Sequence, residues 1–150
     1  MPGIEWVRRA ADLEPLADEW RALESRVRRR TVFSTFDFLD TWYRQYGDDG
    51  GGQPLVGVAR RGAALVGIAP LIIRGGSLGR VPVRRVQFAM QDAHAGEFLV
   101  ADDGSTSGSS DVVGAFIDSL ADSIRFDVIS LIGLEPGSVQ LTAVRDAASR

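Results

Sequence analysis

Residues 54–74 read PLVGVARRGAALVGIAPLIIR. Two apolar runs, residues 55–59 and 64–73, flank Arg60-Arg61-Gly62, which is the pattern of a β-hairpin. Neither run alternates apolar with polar residues. Both faces of the hairpin are therefore expected to be covered, by helices. Pro70 carries no N–H for a strand ladder, so it is expected to mark a bulge or an edge.

Upstream, residues 4–9 (IEWVRR) read as a short strand. Leu13, Leu16, Trp20, Leu23 and Val27 recur at three- and four-residue steps, the stripe of one amphipathic helix with Asp12 near its start as cap. A second helix is expected over 35–46, capped by Ser34 or Thr35, with Phe36, Leu39, Trp42 or Tyr43, and Tyr46 on its apolar side and Gly47 at its end. Downstream, a hairpin turn over 74–79 leads to strands at 83–90 and 97–100. Val112, Val113, Phe116, Ile117, Leu120 and Ile124 make the best helical stripe in the chain. A strand over 126–134 and a helix from Ser138 complete the order. Trp20, Leu39, Val58, Ile68, Phe116, Leu120 and Ile129 are expected in the core.

Composition removes several chemistries. At 150 residues, 45% hydrophobic and 25% charged, the chain has the make-up of one globular domain spanning 1–150. It has no cysteine, hence no disulfide, thiolate nucleophile or thiolate metal site. Every basic side chain is arginine, which excludes a Schiff-base lysine and a P-loop lysine. With His94 the only histidine, no metal site in one chain can use two imidazoles, and no metal is expected. The net charge of −3 argues against nucleic acid as a partner, and the basic run at 26–30 reads as a solvated helix end. The longest apolar stretch, 63–73, is too short to span a bilayer, and no signal segment opens the chain, so a cytoplasmic protein is expected.

The order of strand, two helices, antiparallel strands, helix, strand and helix resembles the GNAT acyltransferase fold. The stretches FSTFDFLDTWYRQYGD (33–48), 54–74 and FDVISLIGL (126–134) sharpen the likeness. They look like the N-terminal half of the tandem-GNAT branch, which holds the Fem-type peptidyl transferases and acetyltransferases labelled as cellulose-biosynthesis proteins. The resemblance implies a mixed α/β (α+β) domain with a mostly antiparallel sheet and helices on both faces. It also implies a degenerate, acceptor-side half that holds a small-molecule or cell-envelope amine or hydroxyl. A second GNAT domain in cis, or a self-association partner, would carry the donor site. Acetyl-CoA or another acyl-CoA is then expected for the full-length protein and none for this chain alone. Two other readings stay open: a non-catalytic binding or dimerisation module, and a compact CoA-binding acetyltransferase.

The stretch ADDGSTSGSSDVVGAFIDSL (101–120) decides between them. A working GNAT cradles the CoA pyrophosphate on backbone N–H groups, in a Gln/Arg-x-x-Gly-x-Gly/Ala turn at a helix start, where small residues and the helix dipole favour an anion. Here Gly108 falls in place, Ser105 stands for the leading Gln or Arg, and Ser110 for the last small residue. Asp102, Asp103 and Asp111 flank the turn, and no arginine lies between Arg85 and Arg125, so an anion would meet carboxylates. The turn reads as degenerate, with Ser109 or Ser110 capping a helix. The tyrosine with which many GNAT enzymes protonate the leaving thiolate, near the start of the last helix, is also missing from 138–150.

What chemistry remains is QDAHAGEF, residues 91–98, where Asp92, His94 and Glu97 could form a general base with its orienting carboxylate. A polar turn with a surface histidine fits the same residues. The aromatic set Phe33, Phe36, Phe38, Trp42, Tyr43 and Tyr46 reads as core first and as an acceptor pocket second.

Overall fold

A computed structural model of the chain describes residues 2–27, 31–46, 52–90, 96–104 and 106–150. Its strands are β1 (Gly3–Val7), β2 (Gln53–Arg61), β3 (Ala64–Leu78), β4 (Val81–Phe88), β5 (Leu99–Val100) and β6 (Val128–Ser130). Its helices are α1 (Ala17–Glu24), α2 (Phe36–Tyr46), α3 (Thr106–Ser123) and α4 (Val139–Ala148). Among the described residues the strands form one sheet in the order β1-β2-β3-β4-β6, with β5 paired to β3. Every pairing is antiparallel except β4 with β6, which is parallel. The expected mixed, mostly antiparallel sheet with helices on both faces is what the chain forms.

The central hairpin explains the two-sided cover. Val56, Val58, Ile68 and Ile72 pack with Trp20, Leu39 and Tyr43 on one face, while Leu55, Ala59, Ala69 and Leu71 pack with Phe116 and Leu120 on the other. Apolar side chains on both sides of each strand leave no room for alternation. α3 comes close because two strand positions are glycine. A Cβ on Gly57 would lie 2.8 Å from both Phe116 and Trp6, and one on Gly67 would lie 2.6 Å from Val112.

Pro70 sits at neither an edge nor a bulge; the register shift falls at Ala59/Arg60. β3 is central, and on the side away from β2 its partner changes here, from β4 (Leu71↔Phe88) to β5 (Ile68↔Leu99). The Pro70 carbonyl accepts from Ala89 N at 2.9 Å, which fixes that side as the one its missing N–H would have faced. The gap between two partner strands needs no donor there.

Other boundaries move for local reasons. The expected single helix over 13–27 is a 3-10 segment, Ala10–Leu16, followed by α1, with Pro15 inside the first piece and no side-chain cap from Asp12. Thr35 does cap α2, its Oγ1 accepting from Phe38 N at 3.4 Å, while Gly47 lies outside the described residues. β3 runs through 74–78, so the turn falls at Gly79 instead of starting at Arg74. The strand expected over 126–134 shrinks to β6, and Ile129 is only half-buried because β6 is an edge. The other expected core residues are buried. α4 is capped by Ser138, whose Oγ accepts from Leu141 N at 3.1 Å, and Ala143 and Ala147 are buried against the α3 side.

Candidate functional site

In open α/β sheets a ligand crevice forms outside the carboxyl ends of parallel strands. Here β4 and β6 are that pair, and their carboxyl ends lead to residues 96–98 and 131–138. Glu97 belongs to this end, and it is the only described member of the expected Asp92, His94 and Glu97 set. Asp92 and His94 lie outside the described residues.

The crevice is closed by backbone. A Cβ built on Gly133, whose φ is +110°, would lie 2.9 Å from Gly96 N, and one on Gly96 would meet the Phe88 ring and lie 2.7 Å from Ile132 O. Either side chain would push the two segments apart. Gln140, in the first turn of α4, then ties them together. Its Oε1 accepts from Phe98 N at 3.1 Å and its Nε2 donates to Phe98 O at 2.8 Å, so a side-chain amide satisfies the main chain as a neighbouring strand would.

The start of α3 is filled as well. The helix begins at Thr106, so Ser109 and Ser110 lie within it and do not cap it. Ser105 lies outside the described residues, and Ser110 is half-buried. Gly108 is buried, and a Cβ there would land on the Asp103 carboxylate. That carboxylate therefore occupies the position next to the helix start where the dipole and free N–H groups would favour an incoming anion. Asp102 shapes the approach, its Oδ1 accepting from Gly104 N at 2.9 Å. Asp111 is 3.9 Å from Arg61, an exposed pair of little energetic weight.

Among the described residues of the candidate set, Glu97 is the one with a shifted carboxyl. Burial raises its carboxyl above the ordinary value and the Glu135 charge adds to this, against opposing bonds from the Ser34 hydroxyl and the Thr31 backbone. Ser34 Oγ also lies 3.1 Å from Thr31 O, and its single proton cannot serve both acceptors. Among the described residues Glu97 Oε1 is buried without a hydrogen-bond partner. Val32, in the same turn as Ser34, and Ile132, beside Gly96, are exposed by 61% and 50%. An orphan carboxylate oxygen is suited to accept an N–H or O–H from a ligand, and a raised pKa makes the carboxylate a better proton acceptor than an ordinary one.

The aromatic set divides. Phe36 and Tyr43 are core, Phe33 and Phe38 pair edge-to-face at 5.2 Å, and Tyr46 is exposed. Tyr43 donates from its hydroxyl to Leu71 O at 2.8 Å, and burial holds its pKa well above the usual value, so it is a structural tyrosine. A hollow lined by Gly3, Glu5, Val58 and Arg60 lies at the β1 edge and brings none of the site residues together. Among the described residues no group of three or more His, Asp or Glu could hold a metal ion. No described helix is long and apolar enough to cross a membrane.

Sequence reasoning missed Gln140 and the role of Asp103. An amide in a helix and an acid before one are ordinary residues, and only the return of α4 and α3 to the strand ends gives them partners. A signal did exist for the closed crevice, because Gly96 and Gly133 each follow a strand.

No family model matches the chain, and no curated protein matches it. Two solved structures are similar. One is TTHA1254 from Thermus thermophilus, at 14% identity and TM-score 0.43, covering 91% of this chain and 80% of that one. The other is a ribosomal-protein-alanine N-acetyltransferase from Brucella melitensis biovar Abortus 2308, at 15% identity and TM-score 0.44, covering 99% of this chain and 86% of that one. The fold described here stands on the strand pairings themselves.

Proposed function

We propose that the chain is the acceptor-side, GNAT-like half of an acyl-CoA-dependent N-acyltransferase, with acetyl the simplest acyl group. A second GNAT domain, in cis or in an associated chain, binds the donor. The observation that carries this reading is the pairing of a filled anion seat with an unpartnered carboxylate oxygen. Asp103 covers Gly108 at the start of α3, while Glu97 Oε1 is buried and unpartnered. A carboxylate in the seat repels a pyrophosphate by Coulomb's law. A carboxylate of raised pKa binds an amine and accepts its proton as the nitrogen attacks the thioester carbonyl; the new C–N bond replaces the C–S bond, and CoA leaves as its thiol. The element order also fits the GNAT resemblance, with two helices before the antiparallel strands and α3 and α4 flanking β6.

A non-catalytic module is the second reading, favoured by the Gln140 bonds to Phe98 and the Gly96–Gly133 contact that close the crevice. Titration and transfer assays separate the two. The chain alone should show no micromolar affinity for acetyl-CoA, and adding a donor-binding GNAT domain should yield transfer to an amine that falls in Glu97→Gln. Micromolar binding by the chain alone would favour the compact-enzyme reading. Transfer unaffected by Glu97→Gln would remove Glu97 from the mechanism.

A further inference from the structure

The far half of the β3–β4 hairpin leaves the body of the sheet. β2 pairs with β3 only as far as Ile73, and β6 joins β4 only from Arg85. In the strand ladder residues 74–83 therefore pair only within the hairpin, in an arm of roughly 14 Å set by four residue steps of about 3.4 Å each. Its base is anchored where Asp127 Oδ2 accepts from Arg84 N at 2.7 Å.

The arm is cationic and apolar at once. Residues 74–90 hold Arg74, Arg80, Arg84 and Arg85 and no Asp or Glu, in a chain of net charge −3. Among the described residues none of these arginines has an ion-pair partner. Arg74 and Arg85 are directly opposite cross-strand neighbours, so two like charges share one face, which destabilises a bare sheet. The Nε of Arg85 is moreover buried without a hydrogen-bond partner among the described residues. Along the same face lie Gly76 opposite Val83 and, at the tip, Leu78 opposite Val81. Leu78 and Val81 are exposed by 55% and 61%, and side chains on Gly75 or Gly76 would touch nothing.

We infer that this arm docks on an anionic lipid surface. The Arg74–Arg85 pair takes a headgroup phosphate, which relieves the like-charge contact. Leu78 and Val81 enter the boundary between headgroups and acyl chains, with Arg80 at the turn beside them. An apolar tip distinguishes a lipid surface from a nucleic acid, which would meet cations but has nothing to bury Leu78 against.

Sedimentation of the full chain with vesicles tests it. Binding is expected to phosphatidylglycerol–phosphatidylcholine vesicles and not to phosphatidylcholine alone. Arg74→Gln with Arg85→Gln should weaken it on the order of 30-fold, from about a fivefold loss per cation. Arg80→Glu, beside Gly79, where an added Cβ would meet nothing, should weaken it without touching the fold. A tryptophan placed as Leu78→Trp should shift its emission to the blue on anionic vesicles. No binding, or equal binding to neutral vesicles, would overturn the inference. So would heparin or duplex DNA binding as tightly as vesicles while Leu78→Ser with Val81→Ser leaves vesicle binding unchanged.

Discussion

The side chain of Gln140 holds the main chain of Phe98 at both ends, accepting from its N–H at 3.1 Å and donating to its carbonyl at 2.8 Å. Residue 98 immediately precedes β5, and residue 140 is in the first turn of α4, so one amide joins the two sides of the crevice at the carboxyl ends of β4 and β6. The bond set is complementary at both atoms, which an alcohol or a carboxylate cannot reproduce.

Replacing that amide tests how firmly the crevice is shut. Gln140→Leu keeps the size and strands a donor and an acceptor of a buried residue. It should cost about 2 kcal/mol in urea denaturation, with an unchanged slope. A change below about 0.5 kcal/mol would show that water replaces the amide and that the crevice is already wet.

Gly108 and Asp103 should be coupled. Glycine to alanine inside a helix ordinarily stabilises by roughly 1 kcal/mol. Here the new Cβ displaces the Asp103 carboxylate from the start of α3, so Gly108→Ala alone should be close to neutral. In an Asp103→Ala background the same substitution should recover its full gain, a coupling of about 1 kcal/mol by double-mutant cycle. Additive effects would mean that Asp103 does not sit where an anion would.

Glu97 makes stability depend on pH in a defined direction. Its folded pKa lies above the unfolded value, chiefly through burial. The native state then binds more protons than the unfolded chain between the two values, and stability falls as pH rises through that window. Glu97→Gln removes the cost of burying the charge. Its denaturation midpoint should exceed that of the parent at pH 7 and converge with it at pH values below the unfolded pKa, where both side chains are neutral. A midpoint lowered at pH 7 would show that the carboxylate is stabilised in place.

Tyr43 should matter to the fold and not to chemistry. Tyr43→Phe removes the donor to Leu71 O and should cost about 1–2 kcal/mol in thermal or urea denaturation. In the two-domain transfer assay it should leave the rate per folded molecule unchanged.

Local pattern carried much of this architecture. The hairpin at 54–74, with apolar residues on both sides of each strand, called for a pair covered by helices on both faces, because a strand that buries both faces has no polar positions to spare. The stripe from Val112 to Ile124 placed α3, and the three-to-four spacing of Leu13, Leu16, Trp20 and Leu23 placed the helical cover of the other face. Missing lysine and cysteine removed whole reaction classes before any coordinate was needed.

Tertiary structure decided what these elements do at their ends. A proline in a strand reads as an edge until a second partner strand is seen to begin beside it, as β5 does next to Pro70. An acid ahead of a helix reads as a repulsive flank until its carboxylate is found over Gly108, and an amide in the last helix has no reading at all until α4 brings it to Phe98. Secondary structure depends on period and propensity within a few residues, and the chain states these directly. Sites depend on atoms from residues 42 positions apart coming within hydrogen-bond distance, as those of Phe98 and Gln140 do, and that distance is set only when the sheet and its helices have packed.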